Sequence, residues 1–269
     1  MAIRPPKALA TWPLPHVRLL RLGWTRGGGR ERAGVFITFE DRTSDSPFIE
    51  RVWRCHSDRG GPFLSVAAGN LELVVSHLPG QTMVTLRGPE TKATIVECPP
   101  NGRWVAIRFR LGVYLPRLPT YLLLDHKNLN LPVTGGSFWL EGDRWELPGF
   151  DNAEALVAKL ALSGVIARDP AVEGVMRGDH QALTRRSVQR HFLHATGMTH
   201  GLFRQIERAR HATNLLRAGS PILDAVHEAG YFDQAHLSRS LKGLIGQTPA
   251  RILRQEAQLS FLYKTASQT

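Results

Sequence analysis

Hydrophobic and polar positions change period once along the chain. From residue 34 to 147 the apolar residues come in short runs rich in Val, Ile, Thr and aromatics: VFITFE (35–40), RVWRC (51–55), FLSVA (63–67), LELVVS (71–76), TMVTLR (82–87), TKATIVE (91–97) and RWVAIRFR (103–110). Turn-forming groups separate most of them, among them Gly60-Gly61-Pro62, Gly69-Asn70, Pro79-Gly80, Gly88-Pro89 and Pro99-Pro100-Asn101-Gly102. In the last run Trp104, Ala106, Arg108 and Arg110 alternate with Val105, Ile107, Phe109 and Leu111, so the two sets face opposite sides of a strand. Many short strands spaced by roughly ten residues predict an antiparallel barrel or sandwich.

From Asp151 the spacing becomes helical. AEALVAKLALSGVIA (153–167) is the first such stretch, and the pattern continues to about Leu262. The predicted class is α+β: an antiparallel β-barrel over 34–150, then an all-α domain over 151–269.

The helical half contains an internal repeat. At an offset of 49 residues Thr184 falls on Asp233, Val188 on Leu237, Arg190 on Arg239, Phe192 on Leu241, Gly197 on Gly246 and Thr199 on Thr248. Each copy reads as an N-cap, a short amphipathic helix with an arginine at equal depth, a glycine stop and a threonine restart. A short helix precedes each copy, around Pro170 to Arg177 in the first. In the second, Ser220 is the expected cap, Pro221 the first helical residue, and the helix runs Ile222 to Ala229. Two short helices joined by a tight turn form a helix-turn-helix. A longer helix, about Gly201 to Ala218, joins the two modules and presents Leu202, Ile206, Ala209, Thr213 and Leu216 on one face. Eighteen residues span ~27 Å, comparable to the ~34 Å between successive major-groove turns.

Charge sharpens this picture. The chain has 269 residues and a net charge of +11, with 34 Lys+Arg against 23 Asp+Glu. Residues 33–150 are neutral, whereas 184–254 carry 11 basic and 4 acidic residues. Segregation of this kind fits a polyanionic partner better than an evenly solvated surface. Residues 1–33 hold seven basic residues, four prolines and Gly27-Gly28-Gly29. They read as a mobile basic tail, with a nucleic-acid-binding arm, or a native start near Val35, as the other readings. No secretory leader and no membrane span is read from the sequence, and Cys55 and Cys98 are too few for a disulfide scaffold, which suits a cytoplasmic protein.

These residues resemble the AraC/XylS family of bacterial transcription regulators over about 166–254. The resemblance rests on TRRSVQRHFLHATGMT (184–199), RQIERARHATNLLRAG (204–219), PILDAVHEAGYFDQAHLSRSLKGLIGQTP (221–249) and Arg254. Departures are packing swaps: Ala225-Val226 replaces the usual bulky residue followed by Ala, and Leu237 and Leu241 stand where Phe is common. The resemblance implies two recognition helices in the major groove. Arg186, Gln189 and Arg190 of the first, and Gln234, Ala235, Ser238 and Arg239 of the second, would face base edges. Arg bonds guanine O6/N7, Gln bonds adenine N6/N7, and Ala meets the thymine methyl. Arg185, Arg204 and Lys242 would hold phosphates. Arg190 and Arg239 also suit a phosphate or a helix C-terminus. The resemblance further implies a cupin-like barrel that senses a small effector or dimerises, with the chain a monomer or homodimer and RNA polymerase a further partner. The helical fragment 166–262 is expected to fold alone and bind DNA.

The first half shows no catalytic signature. His56, His77 and His126 are isolated, with no H-x-H set, and nucleophile-elbow, Walker A and dinucleotide motifs are missing. Cys55-His56 with Cys98 could bind a metal, but a buried thiol and a surface imidazole is the commoner arrangement. Neither cofactor nor metal is expected. Trp53, Trp104 and Arg108 are the candidate ligand-binding residues, with core packing of the tryptophans as the alternative and a buried arginine requiring an anionic partner. The expectation is thus a sequence-specific regulator of double-stranded DNA, not an enzyme and not membrane-bound. The competing class is a cupin-type enzyme or small-molecule binding protein whose helical half serves assembly.

Overall fold

A computed structural model of the chain describes residues 37–178 and 183–254. The tail read over 1–33 and the end of the helical pattern beyond 254 lie outside the described residues.

The seven apolar runs each form a strand. They are β1 (Ile37–Thr43), β2 (Ile49–Ser57), β3 (Gly61–Ser65), β4 (Glu72–Leu78), β5 (Gln81–Arg87), β6 (Thr94–Cys98) and β7 (Gly102–Phe109). Five shorter strands follow: β8 (Val113–Tyr114), β9 (Leu129–Leu131), β10 (Val133–Thr134), β11 (Ser137–Leu140) and β12 (Asp143–Glu146). All pairings are antiparallel. The main sheet has the order β1-β2-β7-β4-β5-β9, β10-β11-β12 form a meander, and β3 pairs with β6. The antiparallel β-rich half is as expected, but backbone pairing does not run round it as a closed ring. Among the described residues the main sheet ends at β1 and β9.

β7 shows why both faces are covered. Val105, Ile107 and Phe109 point into the largest core, with Leu73, Val75 and Leu86 from the sheet and Phe138, Leu140 and Trp145 from the meander. Trp104 and Ala106 point the other way, toward Trp53, Cys55, Phe63 and Cys98 of a second core. Each fully buried Val, Leu, Ile or Phe among them contributes about 1.5–3 kcal/mol. The alternation along the strand sorts its side chains between these two cores.

The chain then enters α1 (Ala153–Leu162). Leu156, Val157 and Leu160 pack into the large core of the sheet. Arg42 of β1 clamps it, donating to Glu154 Oε1 at 2.6 Å and to the Phe150 carbonyl at 2.7 Å. β13 (Ala167–Arg168) then pairs with β8. The boundary expected at 150/151 thus separates α1 from the core it completes. Amphipathic spacing reveals that a helix has a buried face, not which partner buries it.

Six helices follow: α2 (Pro170–Arg177), α3 (Arg185–Thr196), α4 (His200–Arg217), α5 (Ile222–Glu228), α6 (Gln234–Leu244) and α7 (Pro249–Leu253). α2 and α3 form the first helix-turn-helix, α5 and α6 the second, and α4 joins them. Ile206, Ala209, Thr213 and Leu216 of α4 are buried as expected, and Phe203 and Ala212 join them. One detail differs. Ser220 does not cap α5: Pro221, at φ −54° and ψ 148°, takes the cap position, and the Ser220 N–H bonds the Leu215 carbonyl. A 3-10 turn at Thr120–Leu123 packs against α3.

Candidate nucleic-acid interface

The two repeat copies become two matching helices. Thr184 Oγ1 accepts from the Ser187 N–H at 3.2 Å and caps α3. Asp233 Oδ1 accepts from the His236 N–H at 2.6 Å and caps α6. Each cap satisfies a backbone donor that the first turn leaves without a partner. Gly197 (φ +70°) and Gly246 (φ +83°) end the copies in the left-handed conformation that favours glycine. Val188, Phe192 and Ala195 of α3, and Leu237 and Leu241 of α6, are buried.

That burial fixes which stripe of each helix faces solvent. Arg186, Gln189 and Arg190 lie at i, i+3 and i+4 on α3; the two arginines are exposed and Gln189 is half-buried. Gln234, Ala235 and Arg239 are exposed on α6, Ser238 is half-buried, and Lys242 lies one turn further along the same stripe. Among the described residues, Arg185, Arg186, Arg190, Arg204, Arg239 and Lys242 form no ion pair. Among the described residues neither Arg190 nor Arg239 bonds a helix C-terminus.

Three of the expected contacts converge. A groove of about 720 Å³ is lined by Arg185, Val188 and Gln189 of α3 and by Thr199, His200 and Arg204 at the start of α4. Thr199 Oγ1 caps α4, accepting from the Leu202 N–H at 3.0 Å. The groove combines two guanidiniums with the positive end of an 18-residue helix, which is the chemistry of a phosphate site.

The turn of the second module is braced by an aromatic cluster. The Arg208 guanidinium lies 4.6 Å from the Tyr231 ring centre. The Tyr231 hydroxyl is 2.9 Å from Ser240 Oγ, and its ring meets the His236 ring edge-on. In the first module Asp169 has two roles that the sequence reading missed. It caps α2 through the Ala171 N–H, and its other carboxylate oxygen lies 2.8 Å from His191 Nδ1 on α3. A cap before Pro170 was readable; the bond to α3 was not.

In the sheet half the ligand-binding candidates separate. Trp53 and Arg108 are buried, and both donate to Glu72 Oε1. Arg87 holds Glu72 from the other side and also pairs with Glu90, which accepts from Ser65 Oγ. Burial pushes the Glu72 carboxyl up, and the guanidiniums of Arg108 and Arg87 reverse that and leave it below the ordinary carboxylate value. The anionic partner that a buried Arg108 requires is therefore Glu72. Trp104 is half-buried and lines an open cleft of about 620 Å³ at the strand ends, with Phe39, His56, His77 and Arg103. Cys55 and Cys98 are buried and form no disulfide, and burial raises the Cys98 thiol above its ordinary value.

Two capped helix-turn-helix modules with free cations along both second helices define a DNA-binding protein. A protein-family model described as a helix-turn-helix domain, that of the AraC type, matches residues 179–255. The match assigns a helix-turn-helix domain to the helical half of the chain and does not extend to the sheet half. No curated protein and no solved structure matches the chain. No helix among the described residues is long and apolar enough to cross a membrane.

Proposed function

We propose that the protein is a sequence-specific transcription regulator in which α3 and α6 read successive major-groove turns of one DNA site. The observation that carries this reading is the matched pair of solvent-facing stripes. Each holds a glutamine and an arginine, on capped helices joined by α4, whose 18 residues span ~27 Å. Arg186, Gln189 and Arg190 read one half-site; Gln234, Ala235, Ser238 and Arg239 read the other; Arg185, Arg204 and Lys242 hold phosphates.

The sheet half acts as a non-catalytic, cupin-like module that a small effector modulates. The cleft beside Trp104 offers aromatic walls at Phe39 and Trp104 with Arg103 at the rim, and it is the place for that effector. Arg108 and Trp53 are joined through Glu72 and do not line this cleft. The protein acts on promoter DNA in the cytoplasm as a monomer or homodimer, with RNA polymerase as its downstream partner. DNase footprinting on the promoter upstream of its own gene tests this reading. Two protected half-sites one helical turn apart are expected, and uniform protection without sequence preference would overturn it.

A further inference from the structure

Among several contacts between the sheet half and the helical half, the short segment 64–69 at the end of β3 places fully buried side chains in both helical cores. Val66 is buried in the core of the second module, among Leu216, Ala225, Leu237, Leu241 and Ile245. Ala67, the next residue, is buried in the core of the first, among Val172, Phe192, Phe203 and Ile206. Neighbouring side chains of extended chain point to opposite sides, so two adjacent residues serve two different cores.

The backbone is engaged as well. The Ala67 N–H bonds the Leu244 carbonyl at 2.9 Å, and the Ala93 N–H bonds the Gly243 carbonyl at 2.9 Å. These are carbonyls at the C-terminal end of α6, which the helix itself leaves without donors. Ala68 and Glu90 exchange two backbone bonds of 2.9 and 2.8 Å, tying the segment to the buried Glu90–Arg87–Glu72 ion chain at its base.

The approach is tight. A Cβ on Gly69 would lie 2.8 Å from the Phe203 ring of α4. Gly246, which ends the second repeat copy, leaves 2.9 Å between its missing Cβ and Leu64. Gly197, its counterpart in the first copy, leaves 2.9 Å to the Tyr121 backbone. Equivalent ends of both recognition helices are thus seated on the sheet half.

We propose that Leu64–Gly69 is a positioning wedge that fixes the separation and relative orientation of α3 and α6, and so sets the half-site spacing the protein accepts. α4 alone is one helix with a module at each end. The wedge adds a second, non-local fixture that touches both modules at once. These residues touch no DNA; they determine specificity through the geometry of the residues that do. The inference rests on the proposal that both helices engage one DNA site.

The test uses the full chain and a DNA library holding both half-sites at separations from eight to thirteen base pairs, alongside DNA with one half-site. Wild type is expected to prefer one separation sharply. Gly69→Val should flatten that preference by about tenfold, the order of a coupling between sites, while binding to one half-site changes far less. A protein that is merely destabilised would lose all separations equally, so the ratio between separations isolates positioning. Should Gly69→Val fail to fold, Val66→Ala with its smaller loss of packing gives the same readout. A folded Gly69→Val or Val66→Ala protein with the wild-type spacing preference overturns the wedge and leaves the two-helix reading intact. A wild type indifferent to the second half-site overturns both.

Discussion

The arginines of the sheet half and those along the recognition helices are used in opposite ways. In the sheet half Arg42 pairs with Glu154, Arg51 with Asp41, Arg54 with Glu40, Arg87 with Glu72 and Glu90, and Arg108 with Glu72. Along the recognition stripes Arg186, Arg190 and Arg239 have no such partner among the described residues, and the same holds for Arg185 and Arg204 beside them. Composition alone shows a neutral segment and a basic one. Pairing shows that the charge of these five arginines is left available to an outside anion. A paired arginine is a matter of fold stability; an unpaired, exposed one on a capped helix is a matter of binding.

The largest effect should come from breaking a pair in the sheet half. Arg108 is 9% exposed and Glu72 10% in their side chains. Arg108→Ala would leave Glu72 with Arg87 as its one remaining cation among the described residues and should cost about 3 kcal/mol of unfolding free energy, since a buried charge stripped of a partner is expensive. Denaturant titration checks this, and the folded fraction should keep its DNA site preference. Loss of that preference without loss of stability would contradict the division of labour.

Next in size is Gln189→Ala. The side chain is uncharged, so nonspecific affinity should be nearly unchanged. Binding to the preferred site should weaken by about 1–3 kcal/mol, which lowers the ratio of specific to nonspecific binding. An unchanged ratio and footprint would mean that α3 docks on the backbone and that α6 alone reads sequence.

The smallest effect is a paired charge at the sheet's edge. The hydrogen bond from Arg42 lowers the Glu154 carboxyl from the ordinary 4.5 to about 2. A depressed folded-state value stabilises the protein above pH 4.5, and the gain fades as pH falls toward 2. With Glu154 39% exposed, the wild-type advantage over Glu154→Gln should be under about 1 kcal/mol at pH 7. Thermal unfolding of both proteins between pH 7 and 3 should show the curves converging on acidification; a constant gap would contradict the cause given.

Much of the interface was readable because its signals are local. Caps at Thr184 and Asp233, glycine stops at Gly197 and Gly246, and stripes at i, i+3 and i+4 are properties of a single turn of chain. The two-faced β7 was legible for the same reason. What could not be read is non-local. The need of Arg108 for an anion was foreseeable, but its identity as Glu72 depends on how β4 pairs with β7. Val66 and Ala67 read as the end of a strand, and nothing in FLSVA separates an apolar residue buried in its own sheet from one buried in another module. The same limit put α1 with the helical half, although its apolar face completes the sheet's core.

The most direct test of the central claim is the salt dependence of DNA binding by the full chain. Each phosphate contact removed should reduce the slope of log affinity against log salt by about one unit. The triple variant Arg185→Ala, Arg204→Ala and Lys242→Ala should therefore lose about three units of slope, whereas Arg51→Ala, Arg54→Ala and Arg117→Ala in the sheet half, the last paired with Glu141, should leave it unchanged. Equal losses from the two triples, or none from the first, would contradict the claim that the free cations of the helical half are what hold DNA.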